Sequence, residues 1–215
     1  MSIRRSQTIL LTLSATVLGL GGFLGLAGLS SASPAAQEKK AAPVSGSYQV
    51  DAVHSAVIFR IKHIETSLSF GRFNAISGDL VVDEKNPEKS SVKITIEMDS
   101  VDTANQKRND HLKSPDFFDA VQFPTATFVS KSVKKAGDKK FSVTGDLELH
   151  GVTKPLTLEL ENTGFSDTKM GVRIGYYTVF TVKRSDYGVG AMSGALGDEV
   201  QVTVSLEATQ TDSKR

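Results

Sequence analysis

Between Ser91 and Asp99 the chain places Val92, Ile94, Ile96 and Met98 at every second position, with Lys93, Thr95, Glu97 and Asp99 between them. A period of two is the period of a β-strand, whose successive side chains point to opposite faces. The same alternation recurs through most of the sequence. Val57, Phe59 and Ile61 share one face of the stretch from His54 to His63, and Ile76, Leu80 and Val82 share one face from Phe73 to Asp83, where Gly78 predicts a bulge or bend. Ala126 to Val133 reads as a strand, followed by a charged turn from Lys134 to Asp138. Phe141, Val143, Leu147 and Leu149 form the next apolar face, and His150-Gly151-Val152 reads as a tight turn. Leu156, Leu158 and Leu160, the β-rich run from Met170 to Arg184, and Val200, Val202, Val204 and Leu206 complete a set of eight strands.

Eight consecutive antiparallel strands with one apolar face can close into a barrel or stack as two sheets, and the pattern alone leaves both open. An outer-membrane barrel is disfavoured. With the apolar faces turned inward, Lys93, Glu97, Glu148 and Glu159 would face lipid. An inward apolar face admits either a packed core or a hollow one. A hollow lined by Val, Ile, Leu, Phe and Met suits a long hydrocarbon, because burial stabilises by about 0.8 kcal/mol per methylene.

One segment breaks the alternation. From Asn105 to Phe128 the chain reads NQKRNDHLKSPDFFDAVQFPTATF, with a helix-like pattern and Phe117, Phe118, Phe123 and Phe128 close together. Ser114-Pro115-Asp116 has the chemistry of a helix start, with Ser as cap, Pro first and Asp at the positive end of the dipole. The segment is expected to be a helical insertion between strands 3 and 4 that closes one barrel end, with Phe117 and Phe118 as plugs and Ser114, Asp116 and Asp119 as capping groups.

The 215 residues contain no cysteine, which excludes disulfides, thiolate metal sites and a lipidated N-terminal Cys. Lys+Arg and Asp+Glu stand at 25 against 24 with no basic stripe, so no nucleic-acid partner is expected. Residues 1–32 carry Arg4 and Arg5, then an apolar run from Ile9 to Leu29, then small residues at Ser30-Ser31-Ala32 or Ser33-Pro34-Ala35. That is the layout of a Sec-type signal peptide, with an uncleaved membrane anchor as the alternative. Residues 33–46 read as a flexible linker, 47–209 as the barrel domain and 210–215 as a C-terminal tail.

Signs of catalysis are few. No H-x-H or H-E-x-x-H spacing presents two imidazoles to a metal, and no G-x-S-x-G elbow occurs. Gly188-Val189-Gly190 lacks the third glycine of a dinucleotide fingerprint and leads into a strand. The expectation is no enzyme, no metal and no cofactor. Two other readings stay open: a quinone-associated redox or enzymatic factor using His54, His63 or His111, and an interaction scaffold whose barrel is simply packed.

Several short runs resemble the YceI family. They are Tyr48 to Ser55, Gly71-Arg72-Phe73, Asp99 to Thr103, Asn109 to Asp119, Phe123-Pro124, Gly145-Asp146-Leu147, Leu149 to Lys154, and Arg184 to Gly188. Together they extend over about Ser47 to Ala208, with Tyr48 where many members have Trp and Tyr187 where Phe is common. The resemblance implies a periplasmic or secreted, lipocalin-like eight-stranded antiparallel β-barrel that holds a polyisoprenoid, such as an isoprenoid quinone or its precursor, in an apolar pore. It also implies homodimers and a role in envelope stress, without catalytic residues; transient membrane contact is a further expectation for a lipid carrier. Alternation names the residues expected to line the pore: Val57, Phe59, Ile61, Ile94, Ile96, Met98, Val143, Leu147 and Leu158, with Phe117 and Phe118 from the insertion.

Overall fold

The structure, a computed structural model, describes residues 44–211. The segments read as a signal peptide and most of the linker lie outside these residues. No helix among the described residues is long and apolar enough to cross a membrane. Eleven strand segments make one continuous antiparallel sheet: β1 (Gly46–Val50), β2 (Ala56–His63), β3 (Ser67–Phe73), β4 (Ile76–Val82), β5 (Ser91–Glu97), β6 (Val101–Asp102), β7 (Thr125–Gly137), β8 (Lys140–Leu149), β9 (Val152–Thr168), β10 (Gly171–Lys183) and β11 (Leu196–Gln210).

These eleven segments are eight barrel strands, three of them broken. β1 and β2 both pair with β11, at its end and along its length respectively. β3 follows β2 and β4 follows β1, while β6 and β5 continue the same two tiers. Neighbours in space are neighbours in sequence throughout, and the β1–β11 pairing closes the ring. The fold is therefore a closed eight-stranded antiparallel barrel, and a sandwich is excluded. Closure removes the unpaired edges that an open sheet would expose.

The breaks are stitched by side chains. Ser100 Oγ accepts the Ala75 N–H at 3.1 Å and donates to the Glu97 carbonyl at 2.6 Å, so two neighbouring strands bend together. Gly78 does not mark a bulge: Ser77, Gly78 and Asp79 pair in unbroken register with Thr95, Ile94 and Lys93. Glycine is required there because a Cβ would collide with the Lys93 carbonyl oxygen. The turn at His150-Gly151 has φ of 52° and 73°, the geometry of a two-residue hairpin whose twist matches the flanking strands. β7 runs on to Gly137, past the lysines that read as a turn.

The insertion sits between β6 and β7, which is between barrel strands 3 and 4. Its helix, α1 (Gln106–Lys113), lies earlier than its sequence suggests. Asn105 is the N-cap, its side-chain oxygen accepting the Arg108 N–H at 3.0 Å, and Ser114 stands at the C-terminal end. Pro115 decides this, because the residue before a proline is pushed out of the helical region; Ser114 has ψ of 168°. Ser114, Asp116 and Asp119 thus belong to the turns after the helix, and Asp119 adopts a left-handed φ of 44°. A polar clasp fixes α1 to β6. The buried Asn109 accepts from the Thr103 amide and hydroxyl at 2.8 and 2.6 Å, and Arg108 donates to the Thr103 hydroxyl and carbonyl.

Candidate functional site

Inward residues of opposite walls do not meet in one solid core. One buried cluster gathers Tyr48, Val57, Ile76, Leu80, Val172, Ile174, Leu206 and Ala208, and a second gathers Phe128, Val133, Val143 and Leu158. Between them lies an inner chamber of about 90 Å³ whose wall includes Ile94, Leu158, Phe180 and Val204. Toward α1 it adjoins a second chamber of about 150 Å³, sharing Val57, Ile96, Ala126, Leu147 and Phe180 with the first. Each end of the barrel then widens. A vestibule of about 500 Å³ opens between α1 and β3, and one of about 360 Å³ lies at the opposite end beside Asp83, Glu84, Lys135 and Lys139. Each space shares wall residues with the next, so the hollow space of the barrel is a series of four adjoining cavities.

The nine positions named from alternation, with Phe117 and Phe118 from the insertion, all border these cavities. Val57, Ile96 and Leu147 stand at the junction of the two chambers, and Ile94 and Leu158 line the inner one. Phe59, Ile61, Met98, Phe117 and Phe118 line the chamber under α1, while Val143 borders the far vestibule. Phe117 is only 4 % exposed, and its ring meets the His111 ring edge-on at 4.9 Å. The inward row of β10, Tyr176, Thr178, Phe180 and Val182, and the small Ala126 on β7 were not singled out by alternation. The run from Met170 to Arg184 carried the signal, since its even-numbered positions are the inward ones.

Several polar groups around the site have local structural partners. Arg184, 6 % exposed, donates to the carbonyls of Gly197, Val189, Ala191 and Leu196, which shapes the loop beside the chamber under α1. The Tyr48 hydroxyl donates to the Val44 carbonyl at 2.6 Å, and burial pushes its pKa up to about 12. Val44 also packs against the interior, so the last residues of the linker region are part of the barrel wall. The Tyr187 ring is buried under the Lys154 ammonium.

The three candidate histidines are not brought together. His63 and His111 border the vestibule between α1 and β3, with His111 Nε2 at 3.1 Å from an Asp116 oxygen. His54 lies elsewhere, at the β1–β2 break, 2.9 Å from Asp51 Oδ2. Asp51, His54 and Glu207 offer ligand atoms within 4.8 Å of one another. However, the Arg173 guanidinium already sits among them, at 2.8 Å from Asp51 and paired with Glu207. His54 and Arg173 hold the Asp51 carboxyl down to about 2.

Residues 48–208 match the YceI-like domain. The chain belongs to the YceI family. Protein YceI of Salmonella newport (strain SL254) is 39% identical over 170 residues, covering 78% of this chain and 88% of that protein. Among solved structures, BcnA of Burkholderia cenocepacia superposes with a TM-score of 0.68 at 30% identity, covering 74% of this chain and 99% of the other. A polyisoprenoid-binding domain from Saccharophagus degradans, implicated in plant cell wall breakdown, has a TM-score of 0.63 at 21% identity, covering 76% and 98%. Its likeness concerns the fold. The family motifs fall on structural joints in this chain: Asp99 to Thr103 and Asn109 form the helix clasp, and Arg184 to Gly188 the buried arginine turn.

Proposed function

We propose that this protein binds one long apolar lipid of the isoprenoid class in the hollow of its barrel and carries or sequesters it. The observation that carries this reading is the apolar passage outlined by two adjoining inner chambers, which share Val57, Ile96, Ala126, Leu147 and Phe180. A linear chain fits such a passage where a globular ligand would not. Its affinity comes from apolar burial, about 0.8 kcal/mol per methylene, and needs no catalytic group. The ligand named for the Saccharophagus domain supports an isoprenoid over a generic fatty acid.

The rest of the reading rests on the signal-like layout and on the family resemblance. The Sec-type signal layout of residues 1–32 supports export to the periplasm or outside the cell, where a lipid in transit between membranes needs shielding from water. Transient membrane contact for loading, dimerisation, a role in envelope stress, and the lack of both enzymatic activity and a resident cofactor belong to the same proposal. Organic extraction of the purified protein followed by mass spectrometry tests it. Recovery of a prenyl lipid in near-stoichiometric amount is expected, and its absence from protein purified without detergent overturns the reading.

A further inference from the structure

The inward row of β10 reads Val172, Ile174, Tyr176, Thr178, Phe180, Val182, and one member is out of character. Thr178 is 5 % exposed, and its hydroxyl has no hydrogen-bond partner among the described residues. It stands in the wall of the inner chamber, opposite Val204 on β11 in register and in the company of Val57, Leu158 and Phe180. Valine has the same shape and would satisfy the packing without burying a hydroxyl. An unpaired hydroxyl in apolar surroundings is a cost that native structures seldom carry without a reason.

We propose that Thr178 is the hydrogen-bonding point inside the barrel, and that the bound lipid carries one uncharged oxygen-bearing group, a hydroxyl, carbonyl or amide, at this depth. This rests on the lipid-binding reading above and adds the chemistry of the ligand and the residue that selects it. A threonine hydroxyl can donate or accept, so either an alcohol or a carbonyl satisfies it. A charged group is disfavoured at this depth, because no Lys, Arg, His, Asp or Glu lines the inner chamber to neutralise it. The barrel then discriminates between an oxygenated isoprenoid and the bare hydrocarbon of the same length, which leaves the hydroxyl unpaired. Chains whose polar end stays at the mouth gain nothing from Thr178.

The test uses the delipidated protein with two probes, geranylgeraniol and the hydrocarbon of the same chain lacking the hydroxyl, each measured by displacement of a bound fluorescent hydrophobic dye. Thr178→Val is expected to weaken the alcohol about fivefold to tenfold, the worth of one hydrogen bond, and to leave the hydrocarbon unchanged. Thr178→Ser is expected to keep the preference for the alcohol. Without ligand, Thr178→Val should melt at the same temperature as the native protein or higher. A lower melting temperature means that the hydroxyl already has a protein partner, which overturns the proposal. Equal effects on both probes, or none, overturn it while leaving lipid binding intact. Failure of both probes to bind the native protein overturns the lipid-binding reading itself, and this inference with it.

Discussion

The ring of Phe118, from the insertion, packs at 58° on the ring of Phe73 in the barrel wall, with centroids 5.7 Å apart. Phe73 in turn meets Phe59 at 5.5 Å, so three rings connect the insertion to the first barrel strand. Phe118→Ala would unlink them. The expected loss is about 2 kcal/mol, less than for a fully buried phenylalanine because Phe118 is half-buried. Urea denaturation measures that loss, and lipid retained through gel filtration should fall severalfold. If neither changes, the insertion does not close the barrel.

Ala126 stands where the two chambers meet, 5 % exposed and opposite Ile96. Ala126→Leu places a branched side chain across the passage. Because the site is hollow, the added methyl groups find space, and the cost in stability should stay below about 1 kcal/mol. A long prenyl lipid should bind at least roughly tenfold more weakly, since about two methylenes' worth of burial is lost. Unchanged binding would show that the lipid does not thread between the chambers.

Arg184 satisfies two carbonyls of the β10–β11 connection and two at the start of β11 with one planar fork. Lysine keeps the charge but cannot reproduce the fork. Arg184→Lys should therefore cost about 3 kcal/mol by leaving buried carbonyls unpaired, and hydrogen exchange should speed up between Gly188 and Leu196 before it does so elsewhere. Uniform exchange across the barrel would contradict a local staple.

The cluster at Asp51 gives the acid limb of stability a definite sign. His54 and Arg173 lower the folded pKa of Asp51 from 3.8 to about 2. A depressed carboxyl contributes stability that is present above its unfolded pKa and is lost as pH falls through the folded one. The native protein should therefore lose this contribution between about pH 4 and about pH 2. In Asp51→Asn the urea midpoint should fall less steeply across that window. Parallel slopes for the two proteins would remove Asp51 as a cause.

Much of the site could be read from the chain because strand alternation is local. Ile94, Ile96 and Met98 reach the hollow for the same reason that Lys93 and Glu97 do not: adjacent side chains leave a strand in opposite directions. The position of α1 was less legible. Ser114-Pro115-Asp116 carries the chemistry of a helix start, and it took the Asn105 cap and the Thr103–Asn109 clasp to put the helix before the proline. Thr178 was missed for a different reason. An inward threonine is ordinary in a strand, and only the lack of any partner across the barrel marks it.

By itself the sequence determined the number of barrel strands, the inward faces of most of them and the insertion between strands 3 and 4, because period, turn chemistry and proline act over a few residues. Closure was decided by tertiary structure, through the pairing of Tyr48 with Gln210 across 162 positions of chain. The hollow was decided there too. Whether inward side chains fill a barrel depends on its girth and on which rings face one another, and these are properties of the closed sheet that no single strand carries.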